Sequence, residues 1–196
     1  MMAVQTIGFQ RQPSKLDYAA QTQFRFTINY LPLTEYFVQT VNIPGLSLGT
    51  ATVPSSMYDY PIPGDKITFD PLNLSFLVDE NLNNFKELHT WISRLGFAES
   101  HDEFGDLLAS GNPAQAKPST KDRVTAPVPE QGIYSDATLT VLNSKNIVKT
   151  EIRFKNVYPT SISSLDYNVG GTDVDYIVCN ASFNYLGYTI NQISTT

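Results

Sequence analysis

Alternating hydrophobic and polar residues predict β-strands along most of this chain. In 23–31 the even positions hold Phe24, Phe26, Ile28 and Tyr30, and polar residues lie between them. A period of two is typical of a strand with one buried face. Further strands are predicted over 36–43, 46–53, 67–78 and 173–190, and a hairpin over 135–143 and 147–156.

One segment has helical rather than strand periodicity. Hydrophobic residues recur at spacings of three and four, at Leu82, Phe85, Leu88, Ile92 and Leu95. This pattern predicts an amphipathic helix over 81–95 with Trp91 in the core. We expect Asp79 or Asn81 to cap its start and Gly96 its end. Several strands around one helix predict a β-dominated α+β fold, most simply an antiparallel β-sandwich or open barrel.

Two proline-containing segments interrupt these elements. Pro54, Pro61 and Pro63 lie within 54–65, so we expect a long projecting loop there rather than a helix or a central strand. Residues 97–134 combine further prolines with many acidic residues, and we expect a long inserted loop. The predicted organisation is an N-terminal arm at 1–20, a single β domain at 21–190 that contains this insertion, and a C-terminal tail at 191–196.

The charge composition argues against DNA binding through a basic surface. The 196 residues include 13 Lys or Arg and 19 Asp or Glu, which gives a net charge of −6, and 16% of residues are charged. An average globular domain has about 25%. Long strands with so few charges recruit other chains at their open edges, and closing a barrel removes those edges. We therefore expect an obligate oligomer that continues its sheets across subunits.

Composition also bears on cofactors and location. Cys179 is the single cysteine, which excludes an internal disulfide and favours a small buried side chain in a reducing compartment. Acidic residues and a histidine cluster at Glu99, His101, Asp102 and Glu103, but without metal-ligand spacing. No apolar run approaches a membrane span, and Met1 to Ser14 lacks the pattern of a signal peptide. We expect a soluble chain with no metal, no cofactor and no membrane insertion.

One catalytic motif is present. Residues 45–49 read G-x-S-x-G, the nucleophile elbow of α/β-hydrolases, with Ser47 as nucleophile and His89 or His101 as its base. The elbow requires a strand-to-helix turn, and the residues after 49 do not favour a helix. A serine hydrolase is therefore a minor alternative, and we expect no enzyme. A metal-dependent enzyme and a β-sandwich binding module are the remaining alternatives.

The ordered set of segments resembles the tail tube proteins of contractile-tailed, myovirus-type bacteriophages. The segments are 36–46 (YFVQTVNIPGL), 53–69 with its proline-rich centre, 72–80 (LNLSFLVDE), the tryptophan helix 85–92, 152–162 and the aromatic strand 181–190. No single motif is diagnostic, but their order is specific. Together they cover roughly residues 21–95 and 135–190.

The resemblance implies a structural subunit of hexameric rings. Its strands are expected to join an inter-subunit β-barrel, and the rings stack into the inner tube of the tail. Its implied partners are further copies of itself, the tail sheath protein, baseplate tube-initiating proteins, a tape measure protein in the lumen, and DNA in transit. The implied location is the virion tail, assembled in the host cytoplasm. The alternative within the same fold is a baseplate protein that initiates the tube, which an elaborate 97–134 insertion would suit.

The resemblance also implies two groups of site residues. The projecting loop would pack against the neighbouring ring through Met57, Tyr58, Asp59, Tyr60 and Ile62. Carboxylates would face the lumen, or cap loops and the helix, at Asp65, Asp70, Asp79 and Glu80. An acidic lumen would repel DNA and so prevent it from adhering to the wall.

Overall fold

The computed structural model describes residues 18–96, 133–170 and 175–193. The described part of the chain contains one α-helix, α1 (Asn83–Gly96), and one 3₁₀-helix at Thr34–Phe37. Its strands are β1 (Phe24–Ile28), β2 (Val38–Val41), β3 (Leu46–Val53), β4 (Tyr60–Phe69), β5 (Leu72–Leu77), β6 (Ser135–Leu142), β7 (Val148–Ile162), β8 (Val178–Asn184) and β9 (Gly187–Gln192). The predicted β-dominated α+β fold is confirmed.

Seven of these strands form the body of the molecule, and every pair is antiparallel. Their order is β1-β6-β7-β8-β5-β2, and β9 also pairs with β7. The long β7 belongs to two sheets: its first part pairs with β6 and β9, and its last residues, Tyr158 to Ile162, pair with β8. We call β1, β6, β7 and β9 the first sheet, and the end of β7 with β8, β5 and β2 the second sheet.

A single hydrophobic core lies between the two sheets and α1. The sheets contribute alternate residues such as Phe154 from β7 and Phe76 from β5, and both side chains are buried. From the helix, Trp91 packs against Tyr30 with ring centroids 4.5 Å apart and donates its indole N–H to the Ile133 carbonyl at 3.4 Å. The expected burial of Trp91 is confirmed.

The structure corrects the prediction for residues 54–65. Half of this segment is strand, because β4 starts at Tyr60 and runs through Pro61 and Pro63 to pair with β3. Proline is tolerated here because β3 and β4 form a separate two-stranded sheet, in which each strand has a free edge among the described residues. The irregular connection is limited to 54–59.

Two predicted long strands are each divided in the structure. The predicted strand 67–78 breaks at Asp70–Pro71 into the end of β4 and β5. The predicted strand 173–190 becomes β8 and β9, which are separated by Tyr185 and Leu186 but keep one register along β7. Residues 97–132 and 171–174 of the predictions lie outside the described residues, as does most of the predicted N-terminal arm. β9 ends at Gln192, inside the predicted C-terminal tail.

Candidate assembly surfaces

β3 and β4 continue the strands of the second sheet and form a hairpin that leaves the body. The Asn42 N–H donates to the Asn73 carbonyl at 3.2 Å, and the Asp70 N–H donates to the Gly45 carbonyl at 3.1 Å. These bonds link the β2–β5 pair to the β3–β4 pair, so 38–76 is one long ribbon. Every residue of β3 is exposed and all of β4 is exposed except the half-buried Gly64. We call residues 46–69 the projecting hairpin.

The tip of the projecting hairpin carries the residues predicted to contact a neighbouring ring. Met57 is 90% exposed and Tyr58 is 60% exposed. Tyr58 and Tyr60 pack against each other with ring centroids 4.5 Å apart, and a hydrogen bond with Tyr60 raises the pKa of Tyr58. Asp59 lies between them, and Ile62 is exposed on β4. The five predicted residues therefore lie together at one end of the molecule.

The outward face of the second sheet is polar over most of its length. Register places Leu77 and Val178 at one end of this face and seven uncharged polar residues along the rest of it: Thr40, Asn42, Asn73, Ser75, Ser161, Asn180 and Ser182. We call these seven residues the polar face. Ser182 donates to the Asn73 side chain at 2.7 Å, and Thr40 and Ser75 hydrogen-bond through their hydroxyls. A shallow depression of about 410 Å³ lies over most of these residues.

The match to a known family decides what kind of protein carries these surfaces. The sequence profile described as phage tail tube protein matches residues 9–191, nearly the whole chain. The chain belongs to the phage tail tube protein family. The resemblance found in the sequence is thus confirmed, and the protein is a structural component of a phage tail. A comparison with curated proteins gives no match.

Solved structures share the fold of this tail tube protein at low sequence identity. The cap that terminates the tube of the anti-feeding prophage has 13% identity and a TM-score of 0.56, over 95% of this chain and 100% of that chain. The baseplate of the anti-feeding prophage, solved with 6-fold symmetrisation, has 10% identity and a TM-score of 0.57, over 90% and 97%. A sheath/tube terminator from an extracellular contractile injection system has 13% identity and a TM-score of 0.51, over 90% and 99%.

The four predicted carboxylates do not form one cluster in the tail tube protein. Asp65 lies on the projecting hairpin and Asp70 at its base, whereas Asp79 and Glu80 follow the other end of β5. Six residues of β5 span about 20 Å at 3.3 Å per residue. The carboxylates therefore lie at both ends of the polar face and on the hairpin, and none belongs to the seven residues of that face.

Asp70 marks the junction between the hairpin and the body. The Tyr185 hydroxyl donates to the Asp70 carbonyl at 2.9 Å. Burial raises the pKa of Tyr185 to about 12, with smaller contributions from Tyr188 and Asp70, so Tyr185 keeps the proton it donates. A Cβ atom at Gly45 would lie 2.6 Å from the Asp70 carboxylate, so a larger residue at 45 would require the Asp70 side chain to move.

The expected helix cap at Asp79 is wrong in detail. The Asp79 carboxylate accepts a hydrogen bond from the Asn83 side chain at 3.1 Å rather than from a helix N–H. Asn84 performs the capping role, since its buried carbonyl oxygen accepts from the Phe85 N–H at 2.8 Å and the Asp79 N–H at 3.2 Å. Its amide donates to the Leu77 carbonyl at 2.8 Å. In the sequence, Asn84 is a polar residue at helical spacing from the buried Leu88 and Trp91. This spacing is the signal that could have indicated its capping role.

The motif around Ser47 lacks the geometry of a nucleophile elbow. Ser47 is an exposed residue within β3, paired with Thr68, and no helix follows. Gly49 of the motif instead lies close to the opposite strand: a Cβ at Gly64 would lie 2.8 Å from the Gly49 carbonyl oxygen, so the two backbones approach closely. The structure therefore gives no support to the serine hydrolase alternative.

The remaining predictions concern the cysteine, a metal site and a membrane span. Cys179 is buried, as expected, and burial raises the pKa of its thiol. Within 18–96, 133–170 and 175–193, no three His, Cys, Asp or Glu side chains are grouped to hold a metal. The cluster at 99–103 lies outside these ranges. In the same ranges no helix has the length and apolar character to cross a membrane.

Proposed function

We propose that this protein is the tube subunit of a contractile phage tail, assembled as hexameric rings that stack into the inner tube through which DNA passes. The observation that carries the proposal is the projecting hairpin. It exposes apolar side chains along both strands, although the body already has a complete core. An isolated two-stranded hairpin is marginally stable in water, and contacts with neighbouring copies would cover its apolar residues.

The second sheet supports the closure of a ring. Its outer strands are β2 and the end of β7, and the outer edges of β2 and of 158–162 have no strand partner among the described residues. All pairs are antiparallel, and placing β2 of one copy beside β7 of the next preserves this alternation. Six copies of four strands give roughly two dozen strands, more than the 16–18 that already enclose an aqueous channel.

The polar face is suited to line the channel. Its opposite side is the hydrophobic core, so closure of the ring would turn hydroxyl and amide groups toward the lumen. DNA binding depends on cations that neutralise phosphates, and none of the seven polar-face residues is cationic. In this arrangement Asp70, Asp79 and Glu80 border the wall at its two ends and Asp65 lies on the hairpin, which limits the predicted lumen carboxylates to the rims.

The tip of the hairpin would contact the neighbouring ring through Met57, Tyr58, Asp59, Tyr60 and Ile62. Replacing Tyr58 and Tyr60 together with Asp should leave the fold intact and block stacking, because two buried aromatic contacts become desolvated charges. Electron microscopy would then show rings without tubes. Replacing both with Phe keeps the apolar surface and should preserve tubes. Tubes of wild-type length in the Asp variant would show that the tip is not part of the stacking contact.

The remaining partners follow from the same assembly. The tail sheath would surround the tube, the tape measure protein and then DNA would occupy its lumen, and baseplate proteins would start it in the host cytoplasm. A tube-initiating baseplate protein is the second candidate function, since a baseplate structure is among those that share the fold. Copy number per virion separates the two, because a tube requires many rings of the subunit and an initiator requires a single ring.

A further inference from the structure

The projecting hairpin is joined to the body through two short crossings. The chain enters the hairpin through 42–45, between β2 and β3, and leaves it through 70–71, between β4 and β5. Neither crossing is strand, and the Asp70 N–H donates to the Gly45 carbonyl between them. Among the described strands, β3 and β4 pair only with each other. The direction of the hairpin therefore depends on contacts that the crossings make with the body.

Two tyrosines of the body donate hydrogen bonds to the two crossings. The Tyr188 hydroxyl donates to the Pro44 carbonyl at 3.1 Å, and the Tyr185 hydroxyl donates to the Asp70 carbonyl at 2.9 Å. Tyr188 lies on β9, which pairs with β7 of the first sheet, and Tyr185 lies in the connection from β8 to β9. The ribbon that carries the hairpin continues β2 and β5 of the second sheet. The two hydroxyls thus connect the hairpin to a part of the body that its own strands do not reach.

The rings of the same two tyrosines are packed between the hairpin and the core. Phe69, the last residue of β4, lies edge-on to both, with ring centroids 5.8 Å from Tyr185 and 6.0 Å from Tyr188. Both tyrosines also contact the buried Phe154 of β7, with ring centroids 5.3 and 5.6 Å away. The two hydroxyls are therefore held by rings whose own positions are fixed by the core.

We infer that Tyr185 and Tyr188 are positioning residues for assembly, which fix the direction of the projecting hairpin through hydrogen bonds to both of its crossings. The inference rests on the proposed function, in which the hairpin has to meet neighbouring copies. A hairpin that swings about its crossings would present its surface in many directions, and only the fraction in the docking direction could bind. A hairpin held in one direction before assembly loses less conformational freedom when it docks.

The geometry requires both hydroxyls. The two crossings belong to neighbouring strands, which lie about 5 Å apart. A bond to one crossing would leave the hairpin free to twist about that point, whereas bonds to both crossings restrict bending and twisting together. We therefore expect Tyr185→Phe or Tyr188→Phe alone to have a smaller effect than the two substitutions combined.

The test uses two double variants of the full chain. Tyr185→Phe with Tyr188→Phe removes both hydroxyls and keeps both rings. Tyr134→Phe with Tyr158→Phe is the matched control, because these tyrosines are also half-buried and also meet edge-on, with ring centroids 5.8 Å apart. They lie just before β6 and within β7, and they make no contact with either crossing in the described structure. Circular dichroism confirms that each variant is folded.

The first measurement is the direction of the hairpin in the unassembled chain. Spin labels at Thr52→Cys on β3 and Lys86→Cys on α1, both exposed positions, report one distance by pulsed electron paramagnetic resonance. The buried Cys179 is replaced by Ala in every sample. The inference predicts a narrow distance distribution in the parent chain and in the control, and a broad one in the Tyr185→Phe, Tyr188→Phe variant. An unchanged distribution in that variant would overturn the inference.

The second measurement is the protein concentration at which rings and tubes form, followed by sedimentation velocity and negative-stain microscopy. Loss of two hydrogen bonds that hold the docking direction should raise this concentration by roughly tenfold, and the control should leave it unchanged. A broad distance distribution with an unchanged assembly concentration would overturn the positioning role. Failure of the wild-type chain to form rings, with or without a baseplate template, would overturn the proposed function itself, even if the labels show the hairpin held in one direction.

Discussion

Asn84 connects the end of β5 to the start of α1. Its buried side chain accepts two backbone N–H groups and donates to the Leu77 carbonyl. A buried polar group that loses its partner costs about 1–3 kcal/mol. This one amide therefore links the first turn of the single described helix to the residues at the end of β5.

Replacing Asn84 with Ala should destabilise the fold by about 2–3 kcal/mol, because three partners lose their hydrogen bonds in a buried site. The control is Asn83→Ala, which removes an exposed hydrogen bond to Asp79 and should change the free energy of unfolding by less than about 0.5 kcal/mol. Urea denaturation followed by tryptophan fluorescence measures both. Equal losses in the two variants would contradict the capping role of Asn84.

Glu87 gives a pH-dependent prediction. Burial raises the pKa of its carboxyl group, and its Oε2 atom is buried without a hydrogen-bond partner among the described residues. Because the folded pKa exceeds the unfolded one, ionisation destabilises the fold as pH rises above the unfolded value near 4.5. Glu87→Gln should therefore raise the melting temperature at pH 7 and change it little at pH 4. An equal rise in melting temperature at both pH values would show that ionisation of Glu87 is not the cause.

The elements of the body follow closely from their residue patterns. Strict alternation predicted β1, and the spacing of apolar residues predicted α1 within two residues of its observed start. Residues 60–66 of β4 were missed because Pro61 and Pro63 exclude a central strand, and nothing local indicates that the strand leaves the body. The division of 173–190 was missed because the alternation continues through the break, and β8 and β9 are distinguished only by the sheet in which each pairs with β7.

The geometry of the projecting hairpin depends on a close approach of two backbones. A Cβ atom at Gly64 would lie 2.8 Å from the Gly49 carbonyl oxygen. Because this oxygen belongs to the backbone, the clash can be removed only if β3 and β4 move apart. Gly64→Ala should therefore disturb the hairpin and weaken assembly, while the unfolding free energy of the body changes by less than about 1 kcal/mol. The control is Gly96→Ala, where a Cβ would have no described atom outside the helix's own backbone within 4 Å.

Hydrogen exchange separates the two effects of Gly64→Ala. Faster exchange should be confined to residues 46–69, since the body has its own core. Sedimentation velocity on the same samples measures assembly. Unchanged exchange in the hairpin together with normal assembly would show that the close approach is not required.

At the scale of the whole molecule, the candidate surfaces were only partly visible in the sequence. The exposed aromatic residues at 58 and 60 were found because prolines flank them, whereas Leu46, Leu48 and Ile67 have the pattern of ordinary core residues. Their exposure appears only once β3 and β4 are seen to leave the body. The polar face was missed for a similar reason, since Asn, Ser and Thr positions from four strands come together only through the register.

The central claim is that this tail tube family protein assembles into stacked rings. Negative-stain microscopy of the purified full chain over a range of concentrations, with and without a baseplate template, tests it most directly. The account predicts rings of six subunits that stack into hollow tubes, formed spontaneously or on the template. A chain that stays monomeric at every concentration, and that the template does not convert into rings, would contradict it.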